Sequence, residues 1–174
     1  MTDMRRRVVF TVAVALAAVL SSTAHAQSED ATAKQFVGLW RQVSRTQRFA
    51  DGTTRQHPSS VANVIYTDTG HMWYVAMNPN RPQWKSATAP TDSEMKSTIG
   101  NEGFYAYCAT VEIHAREGFV FHHVVIDKVP NSVGISRKRW FTFQGPNRLS
   151  LRIDTPELTS PIVEDTLVWE RVQK

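Results

Sequence analysis

The chain has 174 residues, 20 lysines and arginines against 16 aspartates and glutamates, 41% hydrophobic residues and one cysteine. That length suits one globular domain, and 10% aromatic with 21% charged residues excludes a disordered chain, which is aromatic-poor and charge-heavy. The lone Cys108 excludes an intramolecular disulfide, a cysteine metal site and a dithiol redox pair, and reads as a packing residue.

In chain order, Arg5, Arg6 and Arg7 precede an uncharged apolar run from Val8 to Leu20, followed by Ser21, Ser22, Thr23 and Ala24-His25-Ala26. Basic, apolar and A-x-A segments in that order are those of a secretory signal peptide. The expected division is therefore residues 1–26 as signal peptide and 27–174 as the working domain, periplasmic or secreted. A run of 13 residues is too short to span a bilayer, which takes about 20, so no transmembrane segment is expected in the mature protein. Three arginines and one aspartate lie in residues 1–26, so 17 basic and 15 acidic side chains remain and the formal charge falls from +4 to +2. Such a balance excludes an electrostatic nucleic-acid surface.

After a polar lead-in at 27–34, expected to be flexible, short β-type runs alternate with turn signals about every ten residues. Eight strands are predicted: Gly38 to Arg48, Val61 to Thr67, His71 to Met77, Tyr105 to His114, Phe119 to Asp127, Ser136 to Gln144, Arg148 to Thr155 and Val163 to Val172. Between the third and fourth, Thr91-Asp92-Ser93-Glu94 has the S/T-x-x-E form of a capping box, predicting a short helix from about Asp92 to Gly100 or Gly103. Eight strands joined mostly as hairpins fit an all-β, up-and-down antiparallel barrel, whose closure removes exposed edges; a β-sandwich is the alternative. An eight-stranded lumen holds either side chains or one small ligand.

Gly38-Leu39-Trp40 in the first strand and Trp169-Glu170-Arg171 in the last resemble the lipocalin and calycin arrangement. The matching pieces extend through Phe36-Val37, Asp51-Gly52, Ile65-Tyr66-Thr67, Gly70-His71-Met72, Ala106-Tyr107, Val120-Phe121-His122-His123-Val124, Pro130-Asn131, Arg139-Trp140-Phe141 and Leu167-Val168. In order and spacing they resemble the bacterial and fungal lipocalin-like domain family. The chain departs from it at Cys108-Ala109, where members often carry glycine. The resemblance implies a β-barrel with a cavity, and barrel closure by Gly38, Trp40 and Arg171, the arginine lying across the indole. It implies no single reaction.

Alternation of side chains sorts the faces. A four-residue turn at 115–118 pairs His114 with Phe119 and Val111 with His122. One face then collects Tyr105, Tyr107, Ala109, Val111, Ile113, Val120, His122, Val124 and Ile126. The other collects Cys108, Thr110, Glu112, His114, Phe119, Phe121, His123 and Asp127. The first is more apolar and is assigned to the lumen, which leaves Phe119 and Phe121 outside. A three-residue turn at Gly145-Pro146-Asn147 aligns Phe143 with Leu149 and Phe141 with Leu151, and carries Arg139 inward. A buried arginine keeps its charge and needs a carboxylate, carbonyls or an anionic ligand.

The candidate ligand-binding residues are therefore Tyr66, Tyr105, Tyr107, His122, Arg139 and Phe141, with His122, Tyr107 and Arg139 as catalytic candidates. Against this stand plainer readings: a core histidine bonded to a tyrosine, an arginine paired to Glu112 or Glu170, and tyrosines as core fillers. Arg137, Lys138 and Arg139 form a basic run, which alternation splits between the two faces and whose main meaning is a solvated strand face. No metal site is expected, because His122 and His123 point to opposite faces and no HExxH spacing occurs. No cofactor is expected either, for the chain lacks G-x-G-x-x-G, a P-loop and a G-x-S-x-G elbow. The sequence thus points to a protein that binds a small, mostly apolar molecule, with a carboxylate or carbonyl directed at Arg139. The alternatives are a cofactor-independent isomerase, cyclase or lyase, and a structural envelope protein whose lumen is filled by side chains. The oligomeric state is left open.

Overall fold

The computed structural model describes residues 29–56, 61–100, 103–154 and 161–173. The expected signal peptide and its cleavage site lie outside them. The described strands are β1 (Gly38–Phe49), β2 (Thr54–Gln56), β3 (Val61–Tyr66), β4 (His71–Met77), β5 (Phe104–His114), β6 (Phe119–Asp127), β7 (Ser136–Phe143), β8 (Arg148–Asp154) and β9 (Ile162–Arg171). Helix α1 occupies 29–36 and α2 runs from Asp92 to Ile99 between β4 and β5. A 3-10 turn, Pro130–Ser132, lies between β6 and β7.

Every strand pairing is antiparallel, and β1 pairs with β9 from Trp40–Arg171 to Phe49–Ile162, which closes β1 and β3 to β9 into an eight-stranded barrel. The short β2 pairs only with the far half of β1, at Thr46 to Arg48, where β3 no longer reaches it. Neither β2 nor α1 is apparent in the sequence: three polar residues carry no alternation, and the lead-in read as flexible is helical over 29–36. The predicted capping box is formed, Thr91 Oγ1 accepting from the Glu94 N–H while Glu94 accepts from the Thr91 N–H at 2.8 Å.

One buried core contains Tyr107, Val120, Val124, Leu149 and Leu151, which alternation assigns inward, together with Phe36, Trp40, Val64, Tyr66, Met72, Leu167 and Trp169. The β5–β6 and β7–β8 registers follow the expected turns, pairing Val111 with His122 and Phe141 with Leu151. Phe119 and Phe121 stand on the outer wall. There Phe119 stacks on His114, meets Trp140 and Phe121 edge-on and has the Lys138 ammonium 3.9 Å from its ring centre, while Phe121 meets His114 edge-on and stacks on His123.

Two β-bulges change which face later residues occupy. On β6 the register slips between Cys108–Ile126 and Ala109–Val124, leaving Val125 as the extra residue. The assignment of Ile126 to the lumen and Asp127 to the outside is therefore reversed: Ile126 is 64% exposed, and the Asp127 side chain is fully buried. On β1 the slip between Gln42 and Ser44 makes Val43 the extra residue, and Arg45 and Gln47 turn inward. One extra residue inverts a pattern of period two, so each bulge moves a polar side chain into the barrel.

One end of the barrel is closed. Phe36, the last residue of α1, is buried against Tyr66, Phe141 and Phe143, with ring centres 5.0, 5.1 and 4.9 Å away. Beneath it the Trp40 indole N–H donates to the Phe36 carbonyl at 2.7 Å, and the Arg171 guanidinium carbon lies 4.1 Å from the centre of the Trp40 ring. The other end carries the segment 78–91, α2, β2 and the 3-10 turn.

A polar cavity in the barrel

Above the aromatic floor lies a cavity of about 1080 Å³. Val64, Met72, Leu151, Ile153, Leu167 and Trp169 give it apolar walls, while Asn78, Pro79, Asn80, Arg55 and Gln56 surround its exposed end. Apolar walls with a few fixed polar groups are the usual composition of a small-molecule site.

At the centre of the wall is His122, 1% exposed. Its Nε2 is 3.1 Å from the Tyr66 hydroxyl and its Nδ1 is 3.0 Å from the Tyr107 hydroxyl. Register explains the cluster: Val111, two residues beyond Ala109 on the inner face of β5, faces His122, and Tyr107 precedes Ala109 on that same face. Burial holds the imidazole well below its ordinary pKa of 6.5, and the positive charges of Arg139, Arg137 and His123 add to that effect. His122 is thus neutral, with one ring nitrogen donating and the other accepting. Burial likewise raises both hydroxyls above the ordinary tyrosine value of 10, so both keep their protons.

Two ion pairs sit nearer the open end. Asp165 is wholly buried and receives both oxygens' worth of hydrogen bonds from Arg45, Nε lying 3.0 Å from Oδ1 and 2.9 Å from Oδ2, with Gln47 Nε2 donating at 3.3 Å. Burial disfavours the Arg45 charge, but Asp165 more than offsets it, and the guanidinium is held protonated. Arg137 lies across from His122 on β7 and donates to Asp127 Oδ2 at 2.8 Å and to the Tyr105 hydroxyl at 2.6 Å. Tyr105 in turn donates to Asp127 at 2.9 Å. The Arg137 guanidinium also covers the Tyr107 ring, 4.7 Å from its centre. Burial pushes both Tyr74 and Tyr105 to about 12.

Arg139 is buried and lines the cavity, donating Nη1 to the Lys138 carbonyl at 2.7 Å. Its charge acts on Tyr66, Tyr107 and His122 alike, which places it beside the tyrosine–histidine chain. Glu112 and Glu170, named in the sequence as partners for Arg139, are engaged elsewhere. Glu112 bonds His114 and His123 on the outer wall, and Glu170 pairs with Arg148. Arg45 and Arg137 line the cavity while paired to two buried aspartates, Asp165 and Asp127. Trp169, fully buried in the cavity wall, has an indole N–H with no acceptor among the described residues.

Of the six ligand-binding candidates, Tyr66, Tyr105, Tyr107, His122 and Arg139 line this one cavity. Phe141 does not; its ring packs against Phe36 and Phe143 in the floor. Of the basic run, Arg137 is not on a solvated face but inside, as its two-residue spacing from Arg139 requires. Arg45, Gln47, Tyr74, Asp127 and Asp165 are polar members that the sequence reading missed. Asp165 shares the parity of Leu167, Trp169 and Arg171, a signal that could have found it. His122 and His123 point to opposite faces, and no metal-holding group of three or more His, Cys, Asp or Glu occurs among the described residues.

A closed antiparallel β-barrel with an aromatic floor under an arginine and a polar-studded internal cavity defines a calycin-type architecture. The chain belongs to the lipocalin-like domain family, whose model matches residues 37–172. A comparison with curated proteins gave no match. Among solved structures the chain is similar to a redesigned β-barrel, at 13% identity and a TM-score of 0.40 over 81% of this chain and 95% of that one.

Proposed function

We propose that this barrel is an exported binding protein for a small, largely apolar molecule that carries an acidic or carbonyl group directed at Arg139. The observation that supports this most is a cavity of about 1080 Å³ whose apolar walls carry the buried guanidinium of Arg139 together with Tyr66, Tyr107 and His122. An acidic or carbonyl group accepts well from a guanidinium of the cavity wall, and the Trp169 N–H offers a further donor in the same cavity. The volume suits a ligand of drug or lipid size. Export rests on the segment from Arg5 to Ala26; the intact mass of the secreted protein tests it, with Gln27 as the expected first residue.

Binding is tested with 1-anilinonaphthalene-8-sulfonate, whose fluorescence rises in an apolar site, displaced by dodecanoate and by dodecanol. The expected result is displacement by both, tighter for the carboxylate, with that preference lost in Arg139→Met. Equal affinities for acid and alcohol in the unmodified protein would remove the acidic group from the account.

A further inference from the structure

The chain Tyr66–His122–Tyr107 holds three hydrogens, one on each hydroxyl and one on the neutral imidazole, but only two hydrogen bonds join its members. One hydroxyl hydrogen is therefore always left for another acceptor, and the hydroxyl at the opposite end keeps a lone pair for another donor. With the proton on Nε2, Tyr66 accepts from His122 and its own hydrogen is free, while Tyr107 donates to Nδ1. With the proton on Nδ1 the direction reverses. Both tyrosines line the same cavity, so both ends of the chain belong to one ligand site.

Resting on the reading of the lumen as a binding site, we propose that Tyr66, His122 and Tyr107 form a neutral proton relay that interconverts the keto and enol forms of a cavity-bound acidic carbonyl compound. In the enolising direction the Tyr66 hydroxyl gives its proton to the carbonyl oxygen, and Tyr66 takes the Nε2 proton of His122. His122 Nδ1 takes the Tyr107 hydroxyl proton, and Tyr107 takes the proton from the carbon next to the carbonyl. The C–H bonding pair becomes the new C=C bond, and the former C=O π pair becomes the new O–H bond. Nothing is oxidised, no atom is lost, and the chain ends with its direction reversed, ready for the reverse step.

Three features fit this step. Every member is buried, so a concerted shift that leaves none of them charged avoids the cost of a buried ion. Arg139 lines the same cavity and its charge acts on both tyrosine hydroxyls, which favours negative charge developing on a bound carbonyl oxygen. Arg137 covers the Tyr107 ring and supports electron density on its oxygen as the carbon-bound proton arrives. Tyr66 and Tyr107 are then the catalytic residues, and His122 is the positioning residue that joins them.

The test uses phenylpyruvate as the enolisable probe and 3-phenylpropanoate as its non-enolisable counterpart, binding being read by calorimetry. Exchange of the C3 hydrogens of phenylpyruvate in D₂O is followed by proton NMR with unmodified protein and with Tyr66→Phe, Tyr107→Phe and His122→Gln. The glutamine offers one donor and one acceptor but does not tautomerise as imidazole does, and the phenylalanines keep ring volume should the glutamine variant fail to fold. The expected result is exchange above the buffer rate, reduced at least about 100-fold in each folded variant, a loss much larger than the accompanying change in 3-phenylpropanoate affinity. Binding without faster exchange, or exchange unaffected by the variants, overturns the relay and leaves the binding reading standing. Failure of both probes to bind overturns the relay, and the binding reading falls with it where dodecanoate also fails to bind.

Discussion

The guanidinium of Arg171, the last residue of β9, lies 4.1 Å from the ring centre of Trp40 in β1, and its Nε and Nη2 donate to the carbonyls of Pro146 and Gln35 at 2.9 and 2.6 Å. One side chain thus ties the final strand to the first strand, to α1 and to the β7–β8 turn. The cation–π contact contributes about 1 kcal/mol, and the partly exposed carbonyl bonds contribute a similar amount. Arg171→Met is expected to cost about 2 kcal/mol in urea denaturation, or roughly 4–8 °C in Tm.

Gly38 shares that site. Its φ is +132°, and a Cβ there would come 2.7 Å from Arg171 Nη1. Gly38→Ala is expected to cost about 2 kcal/mol through backbone strain and displacement of the arginine. In the double variant with Arg171→Met the total falls short of the sum, because the methyl no longer meets the guanidinium. A double-mutant cycle by urea denaturation checks it, and strict additivity would separate the two residues.

Removing Arg45 leaves the fully buried Asp165 carboxylate with Gln47 as its remaining side-chain donor among the described residues. Breaking a buried pair from one side costs about 3–5 kcal/mol, and the partial exposure of Arg45 puts Arg45→Met at the lower end. Arg45→Met with Asp165→Leu is expected to recover most of that loss, since no unpaired charge is then buried. Chemical denaturation of the three variants measures both effects.

The buried, neutral His122 sets a pH dependence of stability. The groups around it are Arg137 and Arg139 on β7, Tyr66 on β3, Tyr107 on β5 and the neighbouring His123. Its folded pKa is lowered, so below the ordinary 6.5 the unfolded chain takes up a proton that the folded chain refuses. The histidine's contribution is complete above pH 6.5 and is lost as the pH falls, with a slope approaching about 1.4 kcal/mol per unit. Urea titrations between pH 5 and 7.5 are expected to show this slope, and His122→Gln to flatten it. An unchanged slope in the variant would assign the effect to other groups.

The sequence made the barrel and part of its lumen legible because hairpins with short turns fix register, and register sorts faces. Val111 opposite His122 and Phe141 opposite Leu151 followed from turn length alone. What escaped is downstream of an irregularity. No glycine or proline marks Val43 or Val125, yet the extra residue at each reverses parity and brings Arg45, Gln47 and Asp127 inside. Phe141 failed as a cavity residue for a different reason: alternation gives the face but not the depth, and at its depth the barrel is filled by Phe36 from α1. Arg137 was accessible to the same parity argument that found Arg139, and Asp165 to the same argument extended along the last strand.

The most direct measurement of the binding account is native mass spectrometry of the protein purified from its own host, unmodified and as Arg139→Met, with extraction and identification of any released compound. The account predicts a noncovalent adduct on the unmodified protein, identified as a small, mostly apolar compound bearing a carboxylate or carbonyl, and a large loss of that adduct in the variant. An unmodified protein with no adduct that also fails to take up dodecanoate would contradict it, leaving the polar groups of the lumen as internal structure alone.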